Sequence, residues 1–192
     1  LPIATTQNGA IHTMEPLIDG SGLGPVLYVG GAFSRLGDES DAFIARLGGC
    51  GDRDLGMPYC TPVPNSTGVG GRLSAFGSPR ADENDVTLTA SDLPLQSFGF
   101  LIASRTAGYV AQPGGSYGLL CINGVIGRFQ QQVQNSGTTG SYSITIDLTA
   151  IPQPTGTTAA VAGESWFFQS WYRDANPQIR SNFTEGLEIV FE

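Results

Sequence analysis

Ser141-Tyr142-Ser143-Ile144-Thr145-Ile146-Asp147-Leu148 decides the fold class. Tyr142, Ile144, Ile146 and Leu148 recur at every second position, with Ser143, Thr145 and Asp147 between them. Successive side chains of a strand point to opposite faces, so this run is a half-buried β-strand with one face on a core and one in water. The same alternation appears on either side of it. Val86, Leu88 and Ala90 alternate with Thr87 and Thr89, and Leu187, Ile189 and Phe191 with Glu188, Val190 and Glu192. Residues 98–104 and 166–173 are apolar on both faces, the pattern of central strands in a packed sandwich. No long segment repeats apolar residues at helical spacing. The 27 glycines and 12 prolines are spread along the chain and punctuate many short strands. The predicted class is all-β: an antiparallel β-sandwich, jelly-roll-like, with a small N-terminal β unit.

A boundary is placed at residues 48–54. Residues 1–48 form an N-terminal segment, with short strands at 26–29 and 42–47 and a weaker one at 10–14. Residues 49–192 are long enough for a sandwich of their own. The opening on Leu1 rather than Met reads as a mature, processed end or the edge of an excised segment.

Composition excludes several chemistries. The net charge is −8, which repels phosphate backbones and anionic lipid, so neither nucleic acid nor a membrane surface is an expected partner. No apolar run approaches the roughly 20 residues of a membrane-spanning helix. The nine basic residues are all arginine. A phosphate-binding loop of the Walker type and a Schiff-base mechanism both require the missing lysine. The one histidine, His12, rules out a His-rich zinc site, and a catalytic triad would have to use it. It lies in a Gly- and Pro-flanked stretch and is expected to face solvent or to sit at a strand edge. No spacing among the 17 acidic residues singles out a hydrolytic pair. The chain is therefore expected to be non-catalytic and without a cofactor.

The remaining candidates each carry a bland alternative. Of Cys50, Cys60 and Cys121, one pair can form. Cys60–Cys121 would close a long loop and Cys50–Cys60 a short one, and a free Cys50 would be buried or bonded to another chain. Asn65-Ser66-Thr67 and Asn182-Phe183-Thr184 are glycosylation sequons, and the same residues also cap turns. Asp82, Glu83 and Asp85, like Asp38, Glu39 and Asp41, are candidate calcium ligands or solvated acidic turns. Trp166, Phe168, Trp171 and Tyr172 are a sandwich core or a platform for a sugar ring. Arg173, at the end of that run, is expected to pair with a carboxylate or carbonyl.

Two stretches resemble known sequences. Residues 8–49 contain DGSGLGPVLYVGGAFSRLGD and FIARLGG. They resemble one propeller-like repeat of large secreted bacterial proteins of the planctomycete type, matched at Asp19, Gly20, Tyr28, Val29, Gly30, Gly31, Phe33, Ile44, Ala45 and Arg46. Leu47 stands where that repeat carries Trp. Residues 59–192, with YCTPVPNSTG, GLLCINGVIGRF and FFQSWYRD, resemble the C-terminal module that follows such repeats. The resemblance implies export, an all-β fold and a Cys60–Cys121 disulfide, and it brings no catalytic residues.

A propeller blade buries its faces only against neighbouring blades, so a single repeat needs a cover. Either it docks on its own chain, or it is donated to an identical subunit. Donation is a heterologous contact, and one that does not close builds a filament. The expected role is thus a subunit of an extracellular, pilus-like homopolymer joined by β-strand donation. The runner-up is a carbohydrate-binding or adhesive module of a secreted protein.

Overall fold

The structure, a computed structural model, describes residues 6–7, 10–17, 26–32, 35–36, 44–47, 55–175 and 179–192. The chain divides into two compact units, Leu1–Arg53 and Asp54–Glu192. The sequence-based boundary at residues 48–54 lies wholly outside the described residues, as do Cys50, Asp38, Glu39 and Asp41. No α-helix occurs among the described residues.

The N-terminal unit contains β1 (Thr6–Gln7), β2 (Ala10–Leu17), β3 (Val26–Ala32), β4 (Arg35–Leu36) and β5 (Ile44–Leu47). β2, β3 and β5 form an antiparallel sheet in that order, and β1 pairs with β4. Val29 is fully buried at its centre, and His12 lies on β2 with its side chain exposed.

The C-terminal unit begins with β6 (Met57–Tyr59), β7 (Arg72–Gly77), β8 (Val86–Ser91), β9 (Phe98–Ser104), β10 (Thr106–Ala111), β11 (Leu119–Asn123), β12 (Gly127–Arg128) and β13 (Gln134–Asn135). It continues with β14 (Tyr142–Ile146), β15 (Ile151–Pro152), β16 (Thr157–Thr158), β17 (Ser165–Ala175), β18 (Ile179–Phe183) and β19 (Gly186–Val190). β12, β9, β17, β19 and β6 are successive neighbours in the larger sheet, with β13 on β9 and β18 on β17. β14, β8 and β7 form a second sheet, and β10 and β11 a hairpin of their own. All pairings are antiparallel.

The two larger sheets share one core, as the alternation predicts. β14 contributes Tyr142, Ile144 and Ile146, β8 contributes Val86, Leu88 and Ala90, and β7 contributes Leu73 and Ala75. From the other sheet come Leu101, Ala103, Trp166, Phe168, Tyr172, Leu187 and Ile189. Each large side chain withdrawn from water here contributes about 1.5–3 kcal/mol. The few polar groups in this core bond to each other. Tyr142 and Ser170 hydroxyls meet at 2.6 Å across the two sheets. On the solvent face of the smaller sheet, Thr87 meets Thr145 and Thr89 meets Ser143, both at 2.8 Å, as cross-strand hydroxyl pairs. Gly77 ends β7 at φ +127°, where a side chain would be strained and would strike the Asp85 carbonyl.

Candidate functional site

β17 is apolar on both faces because both faces are covered. Its even-numbered residues Trp166, Phe168 and Tyr172 enter the shared core, while Phe167 and Trp171 lie with Phe100, Ile102, Ile122 and Phe183 in a second apolar cluster on the outer face. The β10–β11 hairpin lies over this outer face and is fastened there by two devices. One is the disulfide between Cys60, just after β6, and Cys121 on β11. The other is Gln169, fully buried on β17. Its Oε1 accepts from the Cys121 N–H at 2.9 Å, and its Nε2 donates to the carbonyls of Leu119 and Thr184, both at 2.8 Å. The amide thus serves β11 as one more strand partner. Tyr59 adds a hydroxyl bond of 2.6 Å to the Cys121 carbonyl and an edge-on contact with Phe167. Burial, with Glu188 nearby, pushes the Tyr59 phenol far above its ordinary pKa.

Beside the hairpin, whose Pro113 and Leu120 help line it, the outer face opens into a cleft of about 220 Å³. Phe100 and Trp171 form its floor, with ring centroids 4.9 Å apart and planes tilted by 35°. Phe183, Ile126 and Leu120 rise around them, and Arg128 reaches in from β12. The Arg173 guanidinium stands 5.2 Å from the centre of the Trp171 ring. This arrangement can hold an apolar surface against two rings and an anionic group against a guanidinium. Its described lining contains no nucleophile–base pair.

The sequence-predicted residues scatter around this face. Cys60 and Cys121 meet as the resemblance implies. Both sequon asparagines are buried and hydrogen-bonded as structural amides. Asn65 is buried, its Nδ2 donating to the Asp92 carbonyl at 2.7 Å and its Oδ1 accepting from the Thr67 N–H and hydroxyl. Asn182 is fully buried, its Nδ2 facing the Asp174 carboxylate at 3.3 Å and the Val63 carbonyl at 3.3 Å. A glycan needs that same nitrogen at the surface. The Asp82, Glu83 and Asp85 cluster does not assemble a calcium site. Asp82 and Glu83 turn onto Arg80 at 2.8 and 3.1 Å, and the Arg80 hydrogen bond holds the Asp82 carboxyl below its ordinary pKa. Among the described residues no group of three or more His, Cys, Asp or Glu side chains has metal-holding geometry. The aromatic run divides between both readings: Trp166, Phe168 and Tyr172 are core, and Trp171 is half-exposed in the cleft. Arg173, expected to pair with a carboxylate or carbonyl, stands over the Trp171 ring, 5.2 Å from its centre.

Sequence reasoning did not find Gln169, Phe100 or Arg128. Gln169 carries a signal, being the one amide in β17 and set between the aromatic pairs Phe167-Phe168 and Trp171-Tyr172. The other two depend on which strands become neighbours. Compared with family models, curated proteins and solved structures, the chain matches none.

Proposed function

We propose that the chain is a non-catalytic structural subunit of an extracellular filament, in which identical copies join head to tail by β-strand addition. The observation that carries this reading is the edge strand β14. Natural sheets protect their edges with charges, prolines, bulges or very short strands. The larger sheet does so, with Pro58 in the three-residue β6 at one edge, the two-residue β12 and β13 at the other, and the charged Arg180 on β18, which pairs with β17 alone. β10 is interrupted by a register shift between Ala107 and Val110. β14 has none of these: Tyr-Ser-Ile-Thr-Ile is five residues of uncharged, strand-favouring sequence at the end of its sheet. Such an edge accepts a strand from another copy, and the N-terminal unit, with its own edge strands β2 and β5, is the donor. The extracellular setting is supported by the Cys60–Cys121 disulfide, a bond that persists in oxidising compartments. The test is electron microscopy and light scattering of the whole chain beside a Ser143→Lys, Thr145→Lys double variant, both positions being exposed on β14. Filaments in the parent and folded monomers in the variant support the proposal. A parent that stays monomeric at every concentration sinks it.

A second reading is favoured by the outer-face cleft: a carbohydrate-binding or adhesive module, with Phe100 and Trp171 as the platform.

A further inference from the structure

Five of the six arginines of the C-terminal unit fall into two kinds, while the sixth, Arg180, stands over the Tyr117 ring and donates to the Gly115 carbonyl at 3.4 Å. Arg72, Arg80 and Arg105 each face a carboxylate, Glu185 at 3.8 Å, Asp82 at 2.8 Å and Glu164 at 3.1 Å. Arg128 and Arg173 face none among the described residues. Arg128 lines the cleft floored by Phe100 and Trp171, and Arg173 stands over the Trp171 ring; the described lining of that cleft contains no acidic side chain. In a chain of net charge −8, cations are outnumbered almost two to one, 9 against 17. Two guanidiniums without carboxylates beside the same rings therefore make a locally positive spot on an acidic molecule.

The shape narrows the ligand further. Phe100 and Trp171 lie side by side, tilted by 35°, so they make a shallow floor and not a slot between facing walls. A flat aromatic guest is held best between two walls. A pyranose ring has one apolar C–H face and a polar rim, which suits a floor with donors at its edge. A guanidinium fork matches a carboxylate in a bidentate manner. We infer that the cleft binds a carboxylated sugar, a hexuronate unit of an acidic polysaccharide, with the C–H face on Phe100 and Trp171 and the carboxylate on Arg128. The inference rests on the second reading above, that this unit binds carbohydrate, and names its ligand.

The test is a fluorescence titration of the whole chain with tri-galacturonate and, separately, with neutral galactotriose. Trp166 is fully buried and Trp171 half-exposed, so a guest in the cleft reports through Trp171. The expected result is saturable binding of the uronate, weakened by raising salt, with the neutral sugar at least about tenfold weaker. Arg128 is exposed, so Arg128→Gln leaves the fold intact and is expected to weaken uronate binding at least about tenfold. Arg173→Gln provides an independent check on the second cation. Equal binding of the two sugars overturns the uronate assignment and leaves the carbohydrate reading standing. Binding of neither sugar overturns both. Binding of phenylacetate in place of the uronate assigns the cleft to aromatic acids, and uronate binding unchanged in both arginine variants overturns its placement.

Discussion

Replacing Gln169 by Leu keeps the side-chain volume close to the original and removes every polar atom. The Cys121 N–H and the Leu119 and Thr184 carbonyls, bonded to Gln169 at 2.8–2.9 Å, then lose that partner in a fully buried position. An orphaned buried N–H costs about 1–3 kcal/mol, and a carbonyl with a second lone pair in use costs less. The expected total is about 3–5 kcal/mol, a large share of the roughly 5–15 kcal/mol that keeps a domain folded. The disulfide, with a sequence separation of 61, holds the same Cys121. Its removal as Cys60→Ser, Cys121→Ser is expected to cost about 4 kcal/mol on the loop-entropy account. Because both devices fasten one strand, the triple variant should lose less than the sum of the separate losses, by more than about 0.5 kcal/mol. Urea unfolding followed by tryptophan fluorescence measures all three. A Gln169→Leu loss under about 1 kcal/mol, or strict additivity with the disulfide, would refute the idea that the hairpin is held by these two points together.

Three further outcomes are expected. Burial raises the phenol of Tyr142 to about 12, and those of Tyr172 and Tyr59 beyond it, so the folded chain holds protons that the unfolded chain gives up near pH 10. This stability is fully present below pH 10 and lost as pH rises through 12. Tyr142 alone accounts for about 3 kcal/mol of that loss. A urea midpoint as high at pH 11.5 as at pH 9 would contradict it. Mass spectrometry of the folded chain expressed in a glycosylating host should find Asn65 and Asn182 unmodified, and a glycan on either in folded material would contradict their burial. Deleting residues 1–47 should leave a folded, monomeric C-terminal unit. Polymers that survive the deletion would eliminate the N-terminal unit as donor, and a chain that no longer folds would refute its independence.

Alternation made the fold class legible. The faces read for residues 86–90, 141–148 and 187–191 are the faces buried, down to Leu148 and Phe191 just past their strands. Residues 98–104 and 166–173 were recognisable as central, and β9 and β17 are neighbours there. The site was far less legible. A buried amide such as Gln169 looks polar in a sequence, and only its partners 48 and 50 residues away explain it. Asn65 and Asn182 were ambiguous for the same reason, since a surface tripeptide motif is indistinguishable in sequence from an asparagine bonded 107 or 119 residues away. Phe100 and Trp171 share a floor because β9 and β17 set them opposite each other, a pairing that local spacing does not encode.

The two-sided apolar character of β17 has a cost in alignment. Sliding a half-polar strand by one residue exposes its whole apolar set, but β17 would exchange Trp166 and Phe168 for Phe167 and Trp171 with little change in buried oil. Its hydrophobic pattern alone leaves two alignments close in energy. Gln169 and Ser170, adjacent and on opposite faces, break the tie. In the native alignment Gln169 meets the hairpin and Ser170 meets Tyr142. A one-residue slip drives the amide into the apolar core and strips three backbone groups of their partner. The two polar side chains thus act as an index mark for the longest strand, and changing them should produce mispaired chains as well as less stable ones.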